Sequence, residues 1–262
     1  SCVLRGYKAT FHINNDDYIP GLKKNGRTAI LAGCGPMGLE AIDIALHSDV
    51  KPSLLVVTGI NKERIEYAKS VFSTEAAAKD GIKLVFLNTS DKNELLEITD
   101  NKGYDDVFVY APVPQVVELG DEILGFDGCL NFFAGPFDKK FSAPLNFYNV
   151  HYAQHHIAGT SGSTADDMRD IVALIGQRRI NPAVMITHIG GMNAVIDTTL
   201  NLPKIPGGKK LIYTHIDMPL TAIADFEEMS NKDKRFGALY EIIKDNNGLW
   251  CAKAEEYLLN NF

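Results

Sequence analysis

The chain has 262 residues, of which 45% are hydrophobic, and its formal net charge at pH 7 is −7. This length and composition suit one large globular domain, or one domain with a substantial appendage. The negative charge argues against a general nucleic-acid binder, and the lack of any run of about 18 apolar residues argues against a membrane span.

Residues 1–26 form a lead-in to the first predicted strand. The apolar spacing predicts a helix over residues 2–11, and a polar loop follows through residues 14–17. An Asn25-Gly26 turn then precedes a short apolar segment, residues 27–32, that has turn residues on both sides. This pattern predicts a buried strand.

The next six residues, GCGPMG, form a G-x-G-x-x-G motif that opens into a helical pattern. Gly33 permits the tight turn, Gly35 lets a pyrophosphate approach the backbone, and Gly38 lets the helix lie close to the strand. Pro36 suits a first helical turn, and the amides of Met37 and Gly38 would face a ligand with the helix dipole behind them. A strand before and a helix after are the context that a dinucleotide-binding loop requires.

Beyond this motif, strand and helix patterns alternate. The predicted strands lie at residues 54–58, 83–87, 106–110, 129–133 and 156–159. The predicted helices lie at residues 61–72, 91–99, 114–124 and 164–177. The alternation predicts an α/β fold, a doubly wound parallel six-stranded Rossmann sheet in the order 3-2-1-4-5-6, with the glycine motif at the switch point.

The chain after residue 180 departs from this rhythm. Its predicted strands lie at residues 184–187 and 209–214, and its predicted helices at residues 192–200, 233–244 and 249–260. We interpret it as a separate α/β layer.

The residue after the second strand bears on the choice of cofactor. About 20 residues beyond the glycine motif, NAD-specific enzymes place an Asp or Glu that binds the adenosine ribose hydroxyls. Here that position is Gly59, which leaves room for a 2′-phosphate, and Lys62 and Arg64 are near enough in sequence to pair with it. The pattern favours NADP(H) over NAD(H). The alternative is that both cations are solvated charges on the first turns of a helix.

Three further segments end predicted strands at the carboxyl edge of the sheet, where ligands bind in open α/β folds. They are Tyr110-Ala111, Ala134-Gly135 and Gly159-Thr160. Turn chemistry explains all three almost as well as ligand binding does.

No metal-binding or disulfide pattern stands out. His155 and His156 would point to opposite faces of a strand, so local hydrogen bonds explain them better than a shared metal ion. The four cysteines are widely scattered, and we expect free thiols and a cytoplasmic location. The chain lacks a signal-peptide layout and an initiator Met, so we expect a piece of a longer protein.

Several segments together resemble the medium-chain dehydrogenase/reductase superfamily, the zinc-type alcohol and polyol dehydrogenases. GCGPMGLEAIDIAL resembles its cofactor loop, HHIAGTSGST its sixth strand and the following turn, MITHIGGMNAVIDTTL its return toward the catalytic domain, and GGKKLIY its closing strand. The resemblance spans nearly the whole chain. It implies a nicotinamide-dependent oxidoreductase that transfers hydride to or from a polyol or ketose phosphate.

The resemblance also implies that cofactor binding and zinc binding belong to different domains. Family members begin with a domain that supplies the catalytic zinc ligands, so the zinc and the catalytic residues are expected only in the full-length protein. Residues 1–26 would then be a lead-in helix and loop, residues 27–160 the dinucleotide-binding domain, and residues 161–262 a return segment that packs on the missing domain. Family members commonly pair through the edge of the sixth strand, so a homo-oligomer is expected.

By the same resemblance, Tyr110-Ala111 would lie near the adenosine, Ala134-Gly135 near the nicotinamide carboxamide, and Gly159-Thr160 near the nicotinamide ribose or the substrate. Two other interpretations stay open. One is a cofactor-sensing module without chemistry of its own. The other is an S-adenosylmethionine methyltransferase, although Gly59 counts against it because that fold usually has an acidic residue after the second strand.

Overall fold

The computed structural model describes residues 1–262, which divide into two compact units, Ser1–Asn181 and Pro182–Phe262. The first unit contains a six-stranded sheet and a two-stranded sheet, and the second contains a three-stranded sheet. No helix in the chain is both long enough and apolar enough to cross a membrane.

The lead-in packs against the core of the first unit. It consists of helix α1 (Cys2–Ala9) and an antiparallel hairpin of strands β1 (Phe11–Asn14) and β2 (Asp17–Pro20). The Tyr7 ring stacks on Phe108 at 4.4 Å between centroids, and its hydroxyl donates to the carbonyl of Ala41. The sequence predicts a longer helix and then a loop here, whereas the polar residues occupy the turn and the exposed side of the hairpin.

The large sheet consists of six parallel strands. They are β3 (Arg27–Leu31), β4 (Leu54–Thr58), β5 (Lys83–Leu87), β6 (Tyr104–Val109), β7 (Leu124–Phe132) and β8 (His156–Gly159). Their spatial order is β5-β4-β3-β6-β7-β8, and every neighbouring pair is parallel. Counted within the sheet, this is the order 3-2-1-4-5-6, so the predicted doubly wound α/β fold is confirmed.

Helices connect these strands and cover the sheet. They are α2 (Pro36–His47), α3 (Lys62–Val71), α4 (Thr74–Lys79), α5 (Lys92–Glu97), α6 (Pro114–Glu122), α7 (Phe147–Tyr152) and α8 (Ala165–Gly176). The side chains of Asn61, Asp91 and Thr164 each accept a hydrogen bond from a first-turn amide and so cap α3, α5 and α8. The sequence analysis predicts neither α4 nor α7.

The central strands are buried on both faces. All residues of β4 and β6 are buried, which explains why these segments have continuous apolar runs rather than alternating ones. The strand β6 also buries Asp105 and Asp106. His12 of the hairpin places its Nε2 atom 3.1 Å from Asp106 Oδ1, so the lead-in supplies a polar partner to a fully buried carboxylate.

The second unit has its own small sheet and core. Its strands are β9 (Ile186–Gly191), β10 (Lys209–Tyr213) and β11 (Thr221–Ala222), in the order β10-β9-β11. Its helices are α9 (Val195–Asn201), α10 (Phe226–Met229), α11 (Lys234–Asp245) and α12 (Ala252–Asn261). Short 3-10 turns lie at Pro182–Met185, Met192–Ala194, Leu202–Lys204 and Ile223–Asp225. Phe226, Phe236 and Trp250 are among the residues of its core.

Helix α8 lies within the first unit, whereas the sequence assigns its residues to the return segment. Asp167 joins α8 to α1, because its carboxylate accepts hydrogen bonds from Lys8 Nζ at 2.8 Å and from the Thr164 hydroxyl at 2.7 Å. Its side chain is 2% exposed. The hydrogen bonds from Lys8 and Thr164 hold the pKa of Asp167 well below its usual range.

We expect this carboxylate to stabilise the fold only when it is ionised. A group whose folded pKa is depressed contributes stability above its unfolded pKa of about 3.9 and loses it as the pH falls. Asp167→Asn should therefore lower the urea midpoint at pH 7, and its difference from wild type should shrink below about pH 4.

Asn146→Ala is the matched control for Asp167→Asn. It removes the uncharged side chain that caps α7, so it should lower the free energy of unfolding by about 1 kcal/mol at both pH 7 and pH 3. A difference between Asp167→Asn and wild type that is the same at pH 7 and pH 3 would contradict this account.

Candidate functional site

The glycine motif makes the turn between β3 and α2. Ala32 has a φ of +55°, and its N–H donates to the Thr58 hydroxyl at 3.2 Å. The N–H of Gly33 donates to the carbonyl of Thr58 at 2.8 Å. Two hydrogen bonds therefore tie this turn to the end of the neighbouring strand β4.

The three glycines of the motif have different surroundings. A Cβ on Gly38 would lie 2.0 Å from the carbonyl oxygen of Gly33, and a Cβ on Gly33 would lie 2.5 Å from Ile30 Cγ2. Gly35 differs, because no atom lies within 4 Å of its Cβ position. Gly33 and Gly38 thus allow close packing, while Gly35 faces open space.

The start of α2 offers backbone donors to that space. Gly35 is the N-cap and has no side chain to bond the first-turn amides, and Pro36 has no N–H. The amides of Met37 and Gly38 belong to the first turn, which has no intrahelical acceptors, whereas Leu39 already bonds to the Gly35 carbonyl at 2.9 Å. With the helix dipole behind them, these amides favour an anion.

These residues border a cavity of about 410 Å³, which we call the carboxyl-edge cavity. It lies at the switch point, because β3 has β4 on one side and β6 on the other. Its lining comes from the glycine turn and from the segments that follow β4 and β6. The lining residues are Ala32, Cys34, Gly35, Pro36, Met37, Gly38, Gly59, Ile60, Asn61, Arg64, Tyr110, Ala111 and Pro112.

Gly59 lies close to the glycine turn. A Cβ at this position would be 3.1 Å from Cys34 Sγ and 3.3 Å from Ile65 Cγ1. Packing therefore gives a second reason for a small residue here, besides the room it leaves in the cavity. Burial raises the pKa of the Cys34 thiol to about 11, and the opposing charge of Arg64 offsets only part of that rise.

Arg64 is the cation on the wall of this cavity. Its side chain is exposed, and no carboxylate oxygen of residues 1–262 lies within 4.0 Å of its guanidinium. Its backbone N–H donates to the Asn61 side chain that caps α3. The cap places the guanidinium at the cavity while its charge stays without a protein partner.

Tyr110 carries an unused polar group. Its hydroxyl is buried without a hydrogen-bond partner, and its ring lies 4.6 Å from that of Phe133. Burial raises the pKa of Tyr110 above its usual value, and the nearby charge of Glu40 adds to the rise. Glu40 also has a buried carboxylate oxygen without a partner, and burial, followed by Asp43, raises its pKa to about 7.

The structure does not bring all the predicted site residues together. Lys62 begins α3 and is exposed, but it does not line the cavity. Ala134-Gly135 and Gly159-Thr160 lie at the carboxyl ends of β7 and β8, on the same edge of the sheet but outside the cavity lining.

The sequence analysis misses some lining residues, among them Ile60, which is 86% exposed. The available signal was an apolar residue in a polar turn directly after Gly59.

No three His, Cys, Asp or Glu side chains in residues 1–262 are grouped to hold a metal ion. His156 Nε2 instead lies 2.8 Å from Asp127 Oδ1, and His155 Nδ1 lies 3.8 Å from Asp121. All four cysteines are free thiols. The side chains of this chain therefore do not fit a zinc ion.

Comparison with known proteins places these features in a family. The model of the zinc-binding dehydrogenase family matches residues 36–177. A mannitol-1-phosphate 5-dehydrogenase from Aliivibrio fischeri is 48% identical over 99% of this chain, and an L-sorbose 1-phosphate reductase from Klebsiella pneumoniae is 43% identical over 99%. The match covers 63% and 61% of those two proteins, so the chain spans about three fifths of their length.

Solved structures share the fold. A putative zinc-binding dehydrogenase (gutB) from Clostridium scindens aligns with a TM-score of 0.59 at 20% identity, over 74% of this chain and 52% of that one. A short-chain alcohol dehydrogenase (rspB) from Escherichia coli CFT073, crystallised with NADH, aligns with a TM-score of 0.56 at 15% identity, over 77% and 53%.

The different surroundings of the glycines predict different stability effects. Gly38→Ala should cost about 3 kcal/mol or more, because the backbone atoms that meet its Cβ cannot move away. Gly35→Ala should stay within about 1 kcal/mol of wild type, since its Cβ meets nothing. Chemical unfolding of both variants measures the two costs, and equal costs would contradict the assigned roles.

Proposed function

Since the chain belongs to the zinc-binding dehydrogenase family, we propose that it forms the nicotinamide-dinucleotide-binding part of an oxidoreductase that acts on a polyol or ketose phosphate. The observation that carries this proposal is the open face of Gly35 at an uncapped helix start beside the carboxyl-edge cavity. A backbone without a side chain at that point can be approached closely by a pyrophosphate.

The pyrophosphate would bind at the start of α2. The amides of Met37 and Gly38 have no helical acceptor, and the helix dipole favours negative charge there. The adenosine ribose would then lie toward Gly59 and Arg64, which line the same cavity. The exposed side chain of Ile60 supplies an apolar surface for the adenine.

The nicotinamide half would extend along the carboxyl edge of the sheet past β7 and β8. The Cβ position of Gly135 meets no atom within 4 Å, and that of Gly159 meets only the Phe132 carbonyl at 3.6 Å. Gly135 and Gly159 therefore leave backbone open to a ligand, with the buried Ala134 and the half-buried Thr160 as their chain neighbours. When bound, the nicotinamide ring supplies hydride transfer, and the residues of this chain hold and orient it.

The substrate class follows from the relatives. One is named for mannitol 1-phosphate and another for L-sorbose 1-phosphate, both of which are six-carbon sugar or polyol monophosphates. We propose a substrate of this class for the whole protein. No catalytic role is assigned to a side chain of residues 1–262, and no step is assigned to zinc on this chain.

For the cofactor we propose a preference for NADP(H). Position 59 carries no carboxylate to repel a 2′-phosphate, and Arg64 is an unpaired cation on the cavity wall. Lys62 lies two residues away and would add a weaker, more solvated attraction.

Arg64→Ala should weaken NADPH binding about tenfold or more and leave NADH binding nearly unchanged, since a charge-assisted contact to the 2′-phosphate contributes roughly 1.5–3 kcal/mol. Added salt should reduce the wild-type preference. Fluorescence titration of wild type and the variant with NADPH and with NADH measures these affinities. Lys62→Ala tests the second cation, and Lys79→Ala, an exposed lysine on α4, is the charge control.

Two glycine variants separate cofactor choice from cofactor binding. Gly59→Asp and Gly59→Ala introduce the same Cβ against Cys34, but only the aspartate should weaken NADPH far more than NADH. Gly35→Ala should weaken both cofactors alike because its Cβ occupies the pyrophosphate side. Equal wild-type affinities would contradict the NADP(H) preference, and an unaffected Gly35→Ala variant would contradict the site itself.

We also propose self-association through β8. This strand ends the sheet, so one of its edges has no neighbouring strand, and Ile157 on it is 46% exposed. Sedimentation velocity should show a dimer or larger species for wild type and a shift to monomer for Ile157→Lys. Ile196→Lys, at a 72% exposed position in the second unit, should not shift it. Wild-type monomer at high concentration would contradict the proposal.

A further inference from the structure

A second cavity, of about 640 Å³, lies at the opposite edge of the six-stranded sheet. Its lining includes Arg27, Leu54 and Lys83, the first residues of β3, β4 and β5, together with Asp105 near the start of β6. The glycine turn follows the other end of β3. The two cavities are therefore separated by the length of the strands, about 16 Å for five residues.

We call this cavity the amino-edge pocket. Five cationic residues line it against two carboxylates, Asp100 and Asp105. The cations are Lys23, Lys24, Arg27, Lys83 and Lys102. The chain as a whole carries a net charge of −7, so the charge of this pocket is opposite in sign to that of the whole chain.

Two of the cations are committed to a buried carboxylate. Arg27 donates to Asp105 through Nε at 2.9 Å and Nη2 at 3.1 Å, and Lys23 Nζ lies 3.1 Å from Asp105 Oδ1. Burial acts to raise the pKa of Asp105, but the hydrogen bonds from Arg27 and Lys23 outweigh it and hold that pKa below its ordinary value. Asp105 therefore remains charged and holds both cations at the pocket.

The other three cations have no such partner. No carboxylate oxygen of residues 1–262 lies within 4.0 Å of the ammonium groups of Lys24, Lys83 or Lys102. All three side chains are exposed. Their charge is available to a ligand.

The sheet register spaces these cations apart. Arg27 pairs with Leu54, and Leu54 pairs with Lys83, so the three residues form one row across β3, β4 and β5. With adjacent strands about 4.8 Å apart, Arg27 and Lys83 are separated by about 10 Å along this row. Lys102 precedes β6, on the other side of β3. One phosphate group cannot span this width, whereas a chain of linked phosphates can.

We propose that the amino-edge pocket binds a small anion with several linked phosphates, at a site separate from the carboxyl-edge cavity. Lys83 and Lys102 hold its two ends, and Lys24 adds to the attraction. The Arg27–Asp105–Lys23 cluster supplies the fixed positive surface between them.

The test is calorimetric titration of the whole chain with tripolyphosphate. Wild type should show saturable binding at one site that weakens with added salt and persists in the presence of saturating NADH. Lys83→Ala combined with Lys102→Ala should weaken that binding about tenfold or more, because two unpaired charges are lost and no buried carboxylate is stripped of its partner. Lys253→Ala, an exposed and unpaired lysine on α12, is the control and should bind like wild type.

Several results would overturn the proposal. A titration of wild type that shows no binding heat would mean that the amino-edge pocket does not bind tripolyphosphate. If the double variant binds tripolyphosphate as tightly as wild type does, the ligand binds at a different site. If NADH displaces tripolyphosphate, the ligand binds in the carboxyl-edge cavity. Inorganic phosphate binding as tightly as tripolyphosphate would refute the linked-phosphate class. Thermal unfolding of the double variant at the wild-type temperature shows that any loss is not a folding defect.

Discussion

The structure of the first unit depends on one contact between backbones, that of Gly38 with Gly33. Because a Cβ on Gly38 would lie 2.0 Å from the Gly33 carbonyl oxygen, α2 leaves the end of β3 with no intervening side chain. The first-turn amides of α2 are therefore presented at the switch point. Thr58 holds the same turn through two hydrogen bonds, so the end of β4 and the residues after it are positioned by the turn as well.

Much of this arrangement could be predicted because local signals and tertiary environment agree. The strands β4, β5 and β8 have the predicted bounds. For β4, burial on both faces produces a short apolar run between turn residues, which the sequence shows directly. The N-caps Asn61 and Asp91 could be predicted from the sequence, because a cap bonds amides only two or three residues further along the chain.

The missed elements depend on distant partners. The hairpin β1–β2 packs a histidine against Asp106, far along the chain, and its own segment is too short and polar to indicate strands. The strand β7 begins at Leu124, five residues before the prediction, because its register shifts near Asp127, a residue with φ +58°. The glycines on either side of Asp127 indicate a turn when only the sequence is considered.

The candidate site also has features that depend on local sequence and features that depend on distant residues. The glycine turn, Gly59 and Arg64 follow from spacing within about 30 residues of chain, and the structure gathers them around one cavity. The unpartnered Tyr110 hydroxyl and the row formed by Arg27, Leu54 and Lys83 come from the sheet register, which brings together residues that are far apart in sequence.

The contact between Gly59 and Cys34 couples two positions in any redesign or natural drift of the cofactor site. A Cβ at position 59 would lie 3.1 Å from the Cys34 sulfur, so a larger residue there requires Cys34 to shift by a few tenths of an ångström or to be replaced by a smaller residue. Substitutions at positions 59 and 34 are therefore expected to be non-additive. A smaller residue at position 34 would relieve this contact in advance, so it is the better tolerated first step toward a larger residue at position 59.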